Sequence, residues 1–230
     1  MTSLTQIIGD FNPSSEFNTP ENWLQGRTIY GGLATALALQ AALRDAPPDL
    51  PPLKSAQIVF VGPASKSLTF KTAVLRQGKS ATCISVDCMA GADVALRVMF
   101  IFADPRPSKI QHDFYQFPVV SGPENYQSLG VVRGAPASLS NFELRFAGKS
   151  LPVTGSDHPE LMAWVRHLGA SGVDPAVALL ALGDSLPLAV MASFTEFAPI
   201  SSMTWALDIA LPVVAGESNG SCCARPVSAR

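Results

Sequence analysis

Asp184 is the only ionisable residue in the run Val177-Ala-Leu-Leu-Ala-Leu-Gly-Asp184-Ser-Leu-Pro-Leu-Ala-Val-Met191. A run so apolar is expected inside the protein. There, loss of hydration raises a carboxyl's pKa and sharpens it as a general base. The chemistry that suits such a group is acceptance of a proton. A backbone account competes with this one: Gly183 ends a helix and Asp184 opens the turn before Pro187. A second notable pair is Gly31-Gly32, where substrate or packed backbone can come close because neither residue has a side chain.

Other groups carry less. Gly183-Asp184-Ser185-Leu186 spells the GDSL signature of a serine esterase family, but that chemistry needs a downstream histidine. His112, His158 and His167 all precede it, and the Ala/Leu run before it reads as helix, so the match is taken as coincidence. The histidines read as surface or hydrogen-bonded polar groups. Cys83, Cys88, Cys222 and Cys223 lack the spacing of a zinc site. Cys83 and Cys88, on one strand, face opposite sides. No metal or redox cofactor is implied, and a reduced, cytoplasmic setting is expected.

The elements that would position these groups must form a large core. The chain has 230 residues, 47% of them apolar and 15% charged, which describes a heavily buried globular protein. A net charge of -2 without a basic block argues against a nucleic-acid partner. The start, Met1-Thr-Ser-Leu, has no signal-peptide pattern, and no run reaches the roughly 20 apolar residues of a membrane helix.

Gly31 to Leu43 is built of Ala and Leu, the strongest helix formers, with Thr35 and Gln40 its only polar side chains. A helix apolar nearly all round must be enclosed by protein. Strand-like runs follow at 55–61, 68–76, 80–90 and 94–103, broken by turns at Gln77-Gly78-Lys79 and Gly91-Ala92-Asp93. One buried helix followed by long antiparallel strands predicts a curved sheet wrapped round the helix, the hotdog arrangement. From 107 to 140, Pro and Gly recur and predict a connector. The order then repeats: strands at 142–146 and 160–168, a helix opened by Asp174-Pro175, and a strand at 201–211. The fold class expected is α+β, a tandem hotdog with units at 1–106 and 141–230.

This ordered set resembles the type II acyl-CoA thioesterases, the double-hotdog family. The residues that carry the likeness are Trp23, Tyr30-Gly31-Gly32 before an Ala-rich helix, and Leu75-Arg76-Gln77-Gly78-Lys79-Ser80. In the second unit they are Asp174-Pro175, Leu180-Ala-Leu-Gly-Asp184 and Ala198-Pro-Ile-Ser201-Ser202. The resemblance implies hydrolysis of a fatty acyl-CoA thioester, with an aspartate, a hydroxyl residue and a glutamine orienting a water. It puts the aspartate at Asp184 and the hydroxyl at Ser202, with Ser201 as the one-residue alternative. Tyr30, Gly31 and Gly32 would line the substrate channel. CoA would be part of the substrate, and no cofactor is implied.

The second unit reads as short. Only 19 residues (212–230) follow Leu211, without strand periodicity and with a different composition from the rest. The expectation is a second unit truncated or altered from about residue 212, lacking the late strand that carries the glutamine. Two consequences follow as expectations. An open sheet edge favours a homo-oligomer, and a non-catalytic acyl-CoA or acyl-chain binder becomes the rival to the hydrolase.

Overall fold

The computed structural model describes residues 1–64, 66–110, 118–130, 134–210 and 222–224. The chain opens with helix α1 (Leu4–Asp10), which the sequence reading left out. Ser3 caps it and Gln6 returns the bond, a capping box, while Leu4 and Ile7 are buried. Short strand β1 (Phe17–Asn18) follows, then a small hairpin of β2 (Leu24–Gln25) and β3 (Thr28–Ile29).

Helix α2 (Gly31–Arg44) forms where the Ala/Leu composition predicts it. Its side chains from Gly32 to Leu39 are all buried. It packs against β5 (Ser67–Gln77), β6 (Ala81–Ala90) and β7 (Asp93–Ala103), which with β4 (Leu53–Phe60) form the long antiparallel strands. Burial alternates along β6 and β7 because one face of each strand meets the helix. Ile84, Val86, Val98, Phe100 and Phe102 supply that face. A bulge between Cys88 and Met89 leaves Ala95 as the extra residue of β7. Its carbonyl accepts the amides of Val61 and Gly62 at 2.9 and 3.1 Å.

The second unit repeats the plan in smaller form. Strands β8 (Phe142–Phe146) and β9 (Ala163–His167) precede helix α3 (Pro175–Gly183), and β10 (Thr204–Asp208) follows it. Strand β9 is shorter than the predicted 160–168. The 201–211 strand narrows to β10, with residue 211 outside the described residues. Asp174 caps α3 by accepting from the amides of Ala176 (2.9 Å) and Val177 (3.2 Å), with Pro175 at the first helical position.

One strand of the tail corrects the expectation of no regular pairing there: β11 (Cys222–Ala224) pairs antiparallel with β9. The free edge of β9 offers peptide groups that any backbone can satisfy, whatever its side-chain pattern. The residues on either side of β11 lie outside the described ones.

Among the described residues two sheets result, apart from the small hairpin. The larger runs β1-β5-β6-β7-β4-β10 and the smaller β11-β9-β8. Strand β10 joins the first unit's sheet through five residue pairs with β4, from Thr204↔Val59 to Asp208↔Ser55. The two helices pack on each other. This is a tandem hotdog whose second unit is incomplete among the described residues.

Candidate functional site

The site begins with a missing cap. The residue before α2, Tyr30, gives the helix no side-chain bond, so first-turn amides of a buried helix need partners from elsewhere. One partner is Asp184, 152 residues away, whose Oδ2 accepts the Gly32 amide at 2.9 Å. Asp184 is also the residue that terminates α3. The backbone account therefore holds, since Asp184 ends one helix, and its carboxylate in addition caps the other.

The close approach requires Gly31. A Cβ there would stand 2.8 Å from Asp184 Oδ2 and 3.0 Å from the Phe60 ring. Gly32 gives up its space to the Tyr30 ring, which a Cβ would meet at 2.6 Å. The room freed by these two glycines is thus filled by the protein's own side chains. Gly183 does the same on the other side, where a Cβ would meet the Trp205 ring of β10 at 2.8 Å.

Tyr30 is 3% exposed, and its hydroxyl donates to the Ala181 carbonyl in the last turn of α3 at 2.9 Å. It is therefore a clamp between the units, and its hydroxyl is already engaged. Its ring packs edge-on against Phe142 and lies beside Trp23. Burial, and then the charge of Asp184, hold its phenol well above the ordinary tyrosine range. Burial likewise pushes the Asp184 carboxyl up to about 6, with the Gly32 amide pulling the other way. A carboxylate of that basicity is ionised at neutral pH and still a competent proton acceptor.

Ser202 stands exposed in the stretch before β10, with no hydrogen bond to Asp184 among the described residues. The next residue, Met203, accepts the Phe60 amide at 2.9 Å, and the Phe60 ring lies along Gly31. Ser201 is exposed beside Ser202. His167 is settled as a polar link: its Nε2 donates to the Ala178 carbonyl at 2.8 Å, and burial holds its pKa below the ordinary value. The residues that sequence reasoning missed are Phe60 and Trp205. Both belong to strands whose pairing joins the units, and no local pattern announces that pairing.

Two cavities lie apart from this corner. One, of about 290 Å³, sits between the end of α2 and the start of α3, lined by Leu39, Leu43, Pro52, Phe102, Asp174 and Pro175. The other, of about 230 Å³, lies over β8 and β9 beside Arg145 and Trp164. Asp184 lines neither. Among the described residues no cluster of His, Cys, Asp and Glu is arranged to hold a metal, and no helix is long and apolar enough to cross a membrane.

Fold and site together define a double hotdog with an interior carboxylate where the two helices meet. Comparison with known proteins gives the family. The N-terminal domain of acyl-CoA thioesterases matches residues 19–103 and the C-terminal domain of the same family matches residues 116–221. The chain belongs to this type II acyl-CoA thioesterase-like family, whose general activity is thioester hydrolysis on acyl-CoA-like substrates. Among solved structures, it is similar to a hot dog fold protein of unknown function from Alicyclobacillus acidocaldarius (18% identity, TM-score 0.76, 86% of this chain and 74% of that one). It is similar also to the tesB protein of Mycobacterium avium subs paratuberculosis (20%, 0.69, 93% and 80%). An acyl-CoA thioesterase II from Mycobacterium marinum is a further likeness (17%, 0.55, 74% and 62%). At these identities the likeness establishes the fold. No curated protein matches the sequence.

Proposed function

We propose that the chain hydrolyses fatty acyl-CoA thioesters, with Asp184 as the base that activates water. The observation that carries the reading is the Asp184 carboxylate, sequestered at the first turn of α2 and raised to about 6. The thioester carbonyl meets the first turn of α2, where amides other than that of Gly32, which Asp184 already takes, favour developing negative charge. Asp184 takes a proton from water as its oxygen bonds to the carbonyl carbon, and the carbonyl electrons move to oxygen. When the tetrahedral adduct collapses, the C–S bond breaks and the CoA sulfur leaves with the proton from Asp184. Ser202, on the solvent side, guides water and substrate to the corner.

Thiol release from acyl-CoA of varied chain length, by wild type and Asp184→Asn, tests the proposal. Loss of at least a hundredfold in kcat is expected for the variant; equal release by both proteins removes the aspartate from the mechanism. The rival, an acyl-CoA binder without turnover, draws on one observation: β8, β9 and the three-residue β11 make a much smaller sheet than the first unit has. Saturable acyl-CoA binding with no thiol released would establish it. A cytoplasmic, reduced setting belongs to the same proposal, and unpaired Cys83 and Cys88 accord with it.

A further inference from the structure

Ser185 is 4% exposed, and its hydroxyl oxygen has no hydrogen-bond partner among the described residues. Buried hydroxyls are ordinarily satisfied, by protein or by ordered water. Thr19 and Thr72 also carry unpartnered buried hydroxyls, but Ser185 alone adjoins the interior carboxylate. Its backbone is fixed, since the Ser185 amide donates to the Leu182 carbonyl at 3.0 Å and holds the turn after α3. Asp184 matches it with a spare acceptor. Oδ2 takes the Gly32 amide, while Oδ1 receives no hydrogen bond among the described residues.

A buried hydroxyl without a partner stands next in sequence to a carboxylate oxygen that has no protein donor among the described residues and is not itself fully buried. A water that reaches Asp184 Oδ1 and also bonds Ser185 Oγ would satisfy both groups. We propose that Ser185 Oγ and Asp184 Oδ1 together hold one ordered water, and that this is the water consumed in hydrolysis. The inference rests on the hydrolase reading given above and adds to it the group that fixes the nucleophile. One water proton points to Oδ1 and is the one transferred; the other points to Ser185 Oγ. A lone pair of the water oxygen is left for the carbonyl carbon. Ser185 is not itself the nucleophile, since no base is bonded to its hydroxyl. Ser202 cannot replace it in this role, because water at an exposed hydroxyl exchanges with bulk.

High-resolution crystal structures of the full chain and of Ser185→Ala test the site directly. An ordered water within about 3.2 Å of both Ser185 Oγ and Asp184 is expected in the wild type and not in the variant; a dry niche in the wild type overturns the proposal. In the thiol-release assay, Ser185→Ala is expected to lower kcat at least tenfold with KM within twofold. Ser185→Thr should keep most of the activity, and Ser185→Val, equal to threonine in shape, should fall with alanine. This pair carries the test should the alanine variant fail to fold. Wild-type kcat in a folded Ser185→Ala or Ser185→Val overturns the assignment. With Asp184→Asn inactive, that result sinks the water site alone; an active Asp184→Asn sinks the base instead, and the crystallographic water then decides on the niche.

Discussion

Replacing Asp184 by asparagine should stabilise the protein while abolishing its chemistry, and the stabilisation should vanish in acid. The sign follows from linkage. Folded, the carboxyl holds its proton up to about 6; unfolded, it releases it near 3.8. Between those values the native state binds more protons, so stability falls as pH rises through this window. The cost is fully present above about pH 6 and absent below about 3.8. A rise of that size corresponds to about 3 kcal/mol, reduced to about 2 by the carboxylate's partial contact with water. Asparagine keeps an oxygen for the Gly32 amide and carries no charge. At pH 8 the variant should therefore melt roughly 4–8 °C higher than wild type, by the usual conversion for a chain of this size. His167 works in the opposite direction, its lowered pKa costing stability as pH falls below its ordinary value. It is present in both proteins, so the quantity to follow is the difference between their denaturant midpoints from pH 8 to pH 4. Parallel curves would show that Asp184 bears no burial cost, and the basis for its heightened basicity would be gone.

Four further outcomes are expected. Gly31→Ala puts a methyl 2.8 Å from Asp184 Oδ2 and 3.0 Å from the Phe60 ring, displacing the carboxylate; kcat should fall at least tenfold in thiol release with the far-ultraviolet spectrum unchanged. Tyr30→Phe leaves the Ala181 carbonyl without its donor, at about 1–3 kcal/mol in denaturant unfolding, and should lower kcat several-fold by loosening the end of α3. Asp174→Ala removes the α3 cap at the opposite end, costing about 1 kcal/mol with kcat unchanged. Strand β10 pairs with β4 and has no strand on its other side among the described residues, while Phe197 and Met203 are exposed near it. Self-association is therefore expected by light scattering, and Met203→Lys should weaken it.

What the sequence disclosed divides along the range of the forces involved. Helix α2 was legible because Ala and Leu fill every face, and β5 to β7 because alternation and Gly turns are local signals. Strand β8 falls where its pattern runs, Phe142–Phe146. Helix α1 had a signal in Ser3 and Gln6, but only two of its seven residues are buried, too few to mark an apolar stripe. The pairing of β10 with β4 left no mark, since it rests on backbone groups that every residue has. For the site, the isolation of Asp184 pointed to burial, and burial raised its pKa as that reasoning requires. Its partner could not be read: the Gly32 amide is a feature of backbone geometry, met only when two units fold together. The same limit hid the Tyr30 clamp and the unpaired hydroxyl of Ser185.

The position of Asp184 also explains why one carboxylate can be both structural and reactive. It stands at the C-terminal end of α3, whose dipole disfavours negative charge, and at the N-terminal end of α2, whose dipole favours it. The two fields oppose, so the net effect is left to dehydration, which raises the pKa. Had the carboxylate met only the start of α2, its charge would be well stabilised and its basicity low. Had it met only the end of α3, it would lose the Gly32 amide that lowers its pKa and would ionise less readily. Facing both ends, and held to α2 through one oxygen, it is ionised at neutral pH with the other oxygen unspent. Tyr30 maintains that arrangement by tying the end of α3 to the start of α2, and Gly31 by leaving the contact unobstructed. A helix end without a cap of its own thereby becomes the place where the second unit contributes its acid.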